Sequence, residues 1–441
     1  MTIDGSAGAD DLDDASVRSQ VRAFYETHPY PRPEDSLDRA RGRWTDPARR
    51  RMAYHLRWPK APYREDRSVL VAGCGTSQAA KHALRWPAAR VTGIDISATS
   101  IERSTELRAR HRLGNLELIR IAVERVSELG RTFDHVVCTG VLHHLPDPDA
   151  GLRALRDVLA PGGALDLMVY APYGRTGVYM IQEYCRRLGV GTSGDEIRDL
   201  ASTLGALPEG HPLTPLLRDA PDFRTTAGLA DALLHPQDRP YSVPELLDAL
   251  HRSGLRFGRW LRQAPYLPSC GVPRTTPHGE RLARLPPPEQ YAAMELFRGT
   301  MLRHSVIAYR DDDPVVTSIR FDGRHGLDYV PIRHPDTVCV EERLPPGAAA
   351  VLINRSHTDT DLYLPIDARQ KHWFDGIDGQ RSIQEVVVNV GPAPGQTSGA
   401  KPRDLADAAV FFARLFSYDQ IVVAGGEVGP LHETGSHPAG G

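Results

Sequence analysis

Two glycines, an aspartate and a pair of histidines are the residues best placed to do chemistry in this chain. Residues 69–78 read Val-Leu-Val-Ala-Gly-Cys-Gly-Thr-Ser-Gln. The apolar run from Val69 to Ala72 predicts a buried parallel strand. Gly73 and Gly75 let the backbone turn sharply and approach a ligand closely. Ser77 to Leu84 can start a helix. Strand, glycine turn and helix N-terminus are how a doubly wound sheet binds an adenine-containing cofactor. The third glycine of a dinucleotide fingerprint would fall at Gln78, which counts against NAD and FAD. No Gly-Lys-Ser/Thr follows, so a P-loop is excluded. Asp95 ends a second strand and can accept both ribose hydroxyls of an adenosine. A further strand, Phe133 to Thr139, leads into Val141-Leu142-His143-His144-Leu145-Pro146-Asp147-Pro148. His143 and His144 therefore lie on the crevice side, where an acceptor hydroxyl or protonated amine needs a base. Tyr173, beyond the next strand, is the third catalytic candidate.

These motifs together resemble the class I S-adenosylmethionine (SAM)-dependent methyltransferases. The resemblance rests on AGCGT at 72–76, Asp95, LHHLPDP at 142–148, and the turn made by Leu159, Pro161, Gly162 and Gly163 ahead of strand five. It implies SAM as cofactor, held by Gly73, Cys74, Gly75, Thr76, Gln78, Asp95, Ile96, Thr139, Gly140 and Val141. The sequence departs from the family pattern at three places. Val71 stands where an acidic residue precedes the first glycine, and Ser77 replaces the third glycine. Ala122 replaces the Asp that contacts the adenine amino group, so Val123 or Glu124 is expected to substitute. The segment Phe24-Tyr25-Glu26-Thr27-His28-Pro29-Tyr30-Pro31-Arg32 resembles an FYExxPYP-containing branch of the family. It implies a lid, with Tyr25, Tyr30 or Arg32 reaching the methionine end of the cofactor; the alternative is a plain N-terminal clasp. In this family the positions of His143 and His144 shape the pocket more often than they move protons. The Asn/Asp-Pro-Pro-Tyr of amino methyltransferases and the Pro-Cys of cytosine C5 enzymes are both missing after strand four, which speaks against base methylation.

Composition narrows the remaining classes. The 441 residues suffice for two or three domains. A formal net charge of −3 implies no global attraction to nucleic acid or an anionic membrane. No apolar run approaches the roughly 18 residues of a membrane span. The N-terminus, with Asp10, Asp11, Asp13 and Asp14, does not read as a signal peptide. Five scattered cysteines without a CxxC suit a reducing cytoplasm, and no metal site is expected. Arginines between 39 and 60, interleaved with Trp44, Tyr54 and Trp58, read as a helix with a solvated face rather than a nucleic-acid surface.

The elements that must position these residues follow from periodicity. Strands at 69–72, 91–95, 116–120, 134–139 and 164–170 alternate with helical patterns, which predicts a parallel α/β sheet. Strand six at 255–262 and a returning strand seven at 304–309 complete a Rossmann-like, seven-stranded core. Residues 1–13 read as disordered, and Asp14 or Ser16 caps a helix bearing Val17, Val21 and Phe24 on one face. The predicted organisation is an N-terminal helical lid at 1–66 and a methyltransferase domain at 67–312. Connecting strands at 313–345, a C-terminal domain at 346–424 and a disordered tail at 425–441 complete it. Insertions at about 171–240 and 265–300 are the expected substrate covers. The first holds Tyr179, Gln182, Glu183, His235 and Asp238, with Tyr241 beside it, as candidate substrate contacts. IDGQRSIQEVV at 377–387 is similar to small winged-helix peptide-binding domains of the PqqD type, an α+β module. That similarity implies a ribosomally made peptide as acceptor, methylated on N or O, its leader gripped by strand addition. The alternatives are a small secondary metabolite, with the module serving packing or homodimer formation, and a non-catalytic SAM-binding protein.

Overall fold

A computed structural model describes residues 7–314, 318–321, 323–389 and 402–425. The chain divides into two compact units. The first comprises residues 1–46 and 65–315, the second 47–64 and 316–441.

The first unit is built on one sheet of seven strands: β1 (Ser68–Ala72), β2 (Arg90–Asp95), β3 (Leu116–Arg120), β4 (Phe133–Thr139), β5 (Leu159–Tyr170), β6 (Leu255–Trp260) and β7 (Arg303–Arg310). Their order is β3-β2-β1-β4-β5-β7-β6. The first five strands pair in parallel, and β7 runs antiparallel between β5 and β6. The expected Rossmann-like, seven-stranded core is thus what the chain forms. The chain reverses strand order between β1 and β4, and ligands of such sheets bind at that switch point, beyond the strands' C-terminal ends. Leu70, Ala72, Val136, Cys138, Leu165 and Leu167 supply the buried faces of the central strands. Each such valine or leucine, once fully buried, contributes on the order of 2 kcal/mol.

The turn expected ahead of strand five lies inside it. β5 already pairs with β4 at Leu159, then a bulge absorbs Pro161, Gly162 and Gly163 before pairing resumes at Ala164. Gly162 takes φ +73°, which accounts for a glycine there.

The helices are α1 (Ala7–Thr27), α2 (Asp38–Trp44), α3 (Pro47–His55), α4 (Gln78–Arg85), α5 (Ala98–Arg110), α6 (Pro148–Asp157), α7 (Thr176–Leu188), α8 (Gly194–Leu204), α9 (Thr214–Asp219), α10 (Thr226–Leu233), α11 (Val243–Arg252), α12 (Gly279–Ala283) and α13 (Pro287–Arg298). α3 belongs to the second unit. α1 starts well before the expected cap at Asp14 or Ser16, so residues 7–13 are helical, while 1–6 lie outside the described residues. Asp147 accepts the Ala150 N–H at 2.9 Å, with Pro148 at the first helical position of α6. Ser242 and Glu245 form a capping box that opens α11. A buried chain of bonds ties α13 to α11 and β7. The Glu295 carboxylate accepts the Val243 N–H at 2.8 Å and meets His304 Nε2 at 2.9 Å, and His304 Nδ1 meets the Tyr266 hydroxyl at 2.7 Å.

The insertion at 171–240 has its own small core. Val178, Ile181, Leu200, Leu204, Leu229 and Leu233 gather there, and Phe24 of α1 is buried among them. The N-terminal helix is therefore part of the insertion's hydrophobic packing.

The second unit carries α3, β8 (Val330–Arg333), β9 (Thr337–Val340), β10 (Ala350–Asn354), β11 (Tyr363–Ile366), α14 (Ala368–Asp375), α15 (Ile383–Asn389), α16 (Pro402–Ser417) and β12 (Ile421–Ala424). A three-stranded antiparallel sheet has the order β11-β10-β9, and β12 pairs antiparallel with β8. Met52 and Leu56 join Val330, Ile332, Val422 and Ala424 in one cluster. Residues 1–66 were expected to act together; their contacts instead place Pro47–Arg64 with the C-terminal strands. Arg51 and Arg57 are buried there, so the arginine run is not wholly a solvated face. The tail expected to be disordered lies, beyond Gly425, outside the described residues.

Candidate active site

The glycine turn closes the C-terminal end of β1. Gly73 and Gly75 have φ of +68° and +51°, values that L side chains rarely adopt. A Cβ on Gly73 would lie 2.2 Å from Val141 Cγ2, so the residue after β4 presses on this turn. The Cys74 N–H donates to the Ile94 carbonyl at 2.8 Å, and the Cys74 side chain is fully buried beneath. Gln78 opens α4, its N–H donating to the Cys74 carbonyl.

Asp95 stands at the end of β2. Its Oδ2 accepts the Gly75 N–H at 2.8 Å and its Oδ1 accepts the Ser97 N–H at 2.9 Å. Each oxygen keeps a second lone pair, the number two vicinal hydroxyls require. Burial raises its pKa above the ordinary carboxylate value, and these backbone donors act against that. Ile96 follows, its carbonyl accepting from Arg120 at 3.2 Å.

The turn after β4 forms the opposite wall. Gly140 has φ +75° and donates its N–H to the Met168 carbonyl at 3.2 Å. Thr139, Gly140 and Val141 are partly exposed. Val123 is buried in the sheet core. Glu124 is paired with Arg18 at 3.4 Å, so an adenine contact from it would have to displace that arginine.

The N-terminal segment lies directly over the turn. The Thr76 hydroxyl donates to the Pro31 carbonyl at 2.7 Å, and Pro31 Cδ sits 3.0 Å from where a Cβ on Gly75 would be. Glu26 accepts the Ala98 and Thr99 N–H groups at 2.8 and 3.0 Å and the Thr99 hydroxyl at 2.6 Å. It thereby caps α5, the helix that follows Asp95. The Tyr25 hydroxyl donates to Asp231 at 3.1 Å. Burial raises the Tyr30 phenol's pKa, and Asp231 and Asp222 add to the shift. Arg32 points to solvent.

Beside this segment, side chains of the turn after β4, of β5 and of the insertion pack into one cluster. The ring centroids of His143 and His144 are 4.2 Å apart, those of His144 and His235 3.8 Å, and those of His143 and Tyr170 4.0 Å. His143 is fully buried, and burial pushes its imidazole well below the usual pKa, with His144 and Arg175 adding to the effect. His144 Nδ1 meets the Gln237 carbonyl at 2.6 Å and therefore carries the proton, which leaves Nε2 as a lone pair. The Arg175 guanidinium lies 3.6 Å over the Tyr170 ring and 3.6 Å from Asp238. Gln182 donates to the Ala232 carbonyl at 2.9 Å and to Asp238 Oδ2 at 3.0 Å. Burial raises the Tyr179 phenol, with Asp238 adding to it.

Three expected site residues stand apart from this cluster. Tyr173 is 44% exposed on the turn after β5, because Pro172 carries the chain out of the sheet; Tyr170, one turn earlier, is the residue facing His143. Glu183 lies on the outer face of α7, paired with Arg186 and Arg187. Tyr241 is buried in the sheet core, its N–H donating to the Tyr170 carbonyl at 2.9 Å. Asp231, Tyr170, Arg175 and Glu26 belong to the site without having been singled out. Only Glu26 carried a readable signal, as the acidic member of the FYExxPYP segment.

Residues 70–165 match the family model described as a methyltransferase domain. The chain is 33% identical over 253 residues to an uncharacterized protein of Synechococcus, covering 55% of this chain and 60% of that one. It is 35% identical over 96 residues to a ubiquinone biosynthesis O-methyltransferase of Neisseria meningitidis, covering 22% of this chain and 40% of the relative. The match thus spans less than two thirds of the length of either curated relative. Among solved structures, PKMT2 from Rickettsia typhi in complex with AdoHcy superposes with a TM-score of 0.62 at 17% identity, covering 87% of this chain and 76% of the other. That likeness extends to the fold. Among the described residues no helix is long and apolar enough to cross a membrane.

Proposed function

We propose that this protein is an enzyme that transfers a methyl group from SAM to a polar acceptor, N or O, on a peptide. The observation that carries the reading is the convergence of Gly73, Gly75, Asp95 and Val141 on one cradle at the switch point of the sheet. The cradle fits the cofactor: a positive-φ turn with no room for a side chain, next to a carboxylate with spare lone pairs. When bound, SAM supplies a methyl already activated by its sulfonium.

The chain's own residues provide position and dryness. Gly73 and Gly75 admit the close approach of the ligand. Asp95 accepts the ribose hydroxyls while Ser97 and Gly75 hold its carboxylate in place. The segment from Tyr25 to Pro31 covers the cradle and excludes water. His144, with Nδ1–H held by Gln237, stands beside Tyr170 and His235 in the wall that an acceptor would meet. Gln182 and Arg175 hold Asp238 in the same wall. Proximity and orientation are the main terms asked of such a site.

The peptide class is supported by the second unit, whose three-stranded sheet ends in β9 and β11, strands to which an extended peptide can add. A small-molecule acceptor is favoured by one other observation, the match of the core to ubiquinone biosynthesis O-methyltransferases. Incubation of the full chain with methyl-labelled SAM and an extract of the source organism separates the two. Label that becomes acid-soluble after protease treatment supports the peptide reading. Label in a protease-resistant small molecule supports the alternative. Cofactor binding with no label transferred to any fraction overturns the enzyme reading.

A further inference from the structure

We propose that His143, His144 and Asp238 form a binding site for one divalent first-row transition-metal ion where the turn after β4 meets the insertion. His143 Nδ1, His143 Nε2 and Asp238 Oδ1 are buried and have no hydrogen-bond partner among the described residues. Leaving such atoms buried and unmade costs about 1–3 kcal/mol each. One ligand atom from each of the three residues lies within 4.8 Å of the other two. An ion held at roughly 2.0–2.2 Å from each ligand needs them to draw in by about half an ångström.

The surroundings orient the His144 and Asp238 lone pairs as a metal site requires. His144 donates Nδ1–H to the Gln237 carbonyl at 2.6 Å, which fixes the tautomer with Nε2 free. Asp238 has Oδ2 occupied by Gln182 at 3.0 Å and approached by Arg175 at 3.6 Å, so Oδ1 is the oxygen left to ligate. The Arg239 N–H donates to the His143 carbonyl at 3.0 Å, so residues 237–239 are pinned to 143–144 at two points. The Arg175 guanidinium beside Asp238 adds positive charge nearby. Two imidazoles and one carboxylate suit Zn²⁺, Fe²⁺, Mn²⁺ or Co²⁺ and leave coordination positions open. On the methyltransferase reading, an acceptor oxygen can take one of those positions and be held in line. The ion's place beside the methyl acceptor rests on the methyltransferase reading; its binding does not.

The test uses tag-free, full-length protein stripped with dipicolinate and titrated with Co²⁺ under visible absorption, with Zn²⁺ as competitor. One equivalent of Co²⁺ is expected to give d–d bands that Zn²⁺ abolishes. His143→Gln, His144→Gln and Asp238→Asn should each weaken Co²⁺ binding by more than tenfold with an unchanged circular dichroism spectrum. Gln182→Ala, which removes a hydrogen bond to Asp238 Oδ2 and one to the Ala232 carbonyl but no ligand, should weaken it about tenfold. Absence of bands in the wild type overturns the proposal, as do bands retained by every ligand variant that folds. Binding of S-adenosylhomocysteine to the same stripped protein is measured alongside. If that binding is present and the cobalt bands are absent, the metal site fails and the cofactor reading stands.

Discussion

The Asp95 carboxylate accepts the Gly75 N–H at 2.8 Å, joining the end of β2 to the glycine turn that ends β1. One side chain thus shapes the turn and, in the proposed cofactor site, faces the ligand. Its other oxygen is held by Ser97, so the carboxylate is fixed before any cofactor arrives. Preorganisation of this kind lowers the ordering cost of binding.

Gly73→Ala should weaken S-adenosylhomocysteine binding by at least tenfold. The new Cβ meets Val141 Cγ2 at 2.2 Å, and φ +68° is strained for alanine by about 1 kcal/mol. Adding Val141→Ala removes the clash and leaves the strain. The double variant should therefore recover part of the affinity in a calorimetric titration. Equal binding by Gly73→Ala and the wild type would contradict the close approach of these two turns.

Glu26→Ala should loosen the lid. It removes three bonds to the start of α5, worth about 1–2 kcal/mol in a capping position. The expected signs are faster tryptic cleavage at Arg18 or Arg22 and loss of the protection that S-adenosylhomocysteine gives to this segment. An unchanged cleavage rate would show that Phe24 and Tyr25 hold the segment without Glu26.

The second unit should lose stability as pH falls, partly through His55. Burial lowers its folded pKa to about 4, with Arg51 beside it, against an ordinary value near 6.5. Between those values the unfolded chain binds a proton that the folded chain refuses. His55 is therefore neutral as to stability above about pH 6.5, and it costs stability progressively down to about pH 4. At about 1.4 kcal/mol per unit, the loss between pH 7 and pH 5 is about 2 kcal/mol. Urea titrations at both pH values should show His55→Leu with a loss smaller by that amount. Parallel losses in the two proteins would remove His55 as a cause.

What could be read from the sequence followed from how local the constraint is. Gly73, Gly75 and Asp95 answer to backbone geometry within one strand-turn-helix unit, so their types and spacing carried the cradle and the sheet with it. The cluster around His143 was only partly legible. His143, His144, Gln182, His235 and Asp238 were named, but Tyr170 meets them from the end of β5, Arg175 from the start of α7 and Asp231 from α10, a convergence that no local spacing encodes. Tyr173 and Tyr170 are three residues apart, and the turn at Pro172 decides which one faces inward. The grouping of Pro47–Arg64 with β8 and β12 depends on pairing across more than 260 residues, beyond the reach of periodicity. A cut at residue 346 would therefore split the second unit, and a deletion meant to test that unit has to respect α3 and β8.

The most direct test of the account is a calorimetric titration of the full chain with S-adenosylhomocysteine, with NADH as control, on the wild type and on Asp95→Ala. The account predicts binding of S-adenosylhomocysteine alone. It also predicts a roughly thirtyfold loss in Asp95→Ala, corresponding to about 2 kcal/mol for charged hydrogen bonds to the ribose. Binding of NADH, or equal S-adenosylhomocysteine affinity in the two proteins, would contradict it.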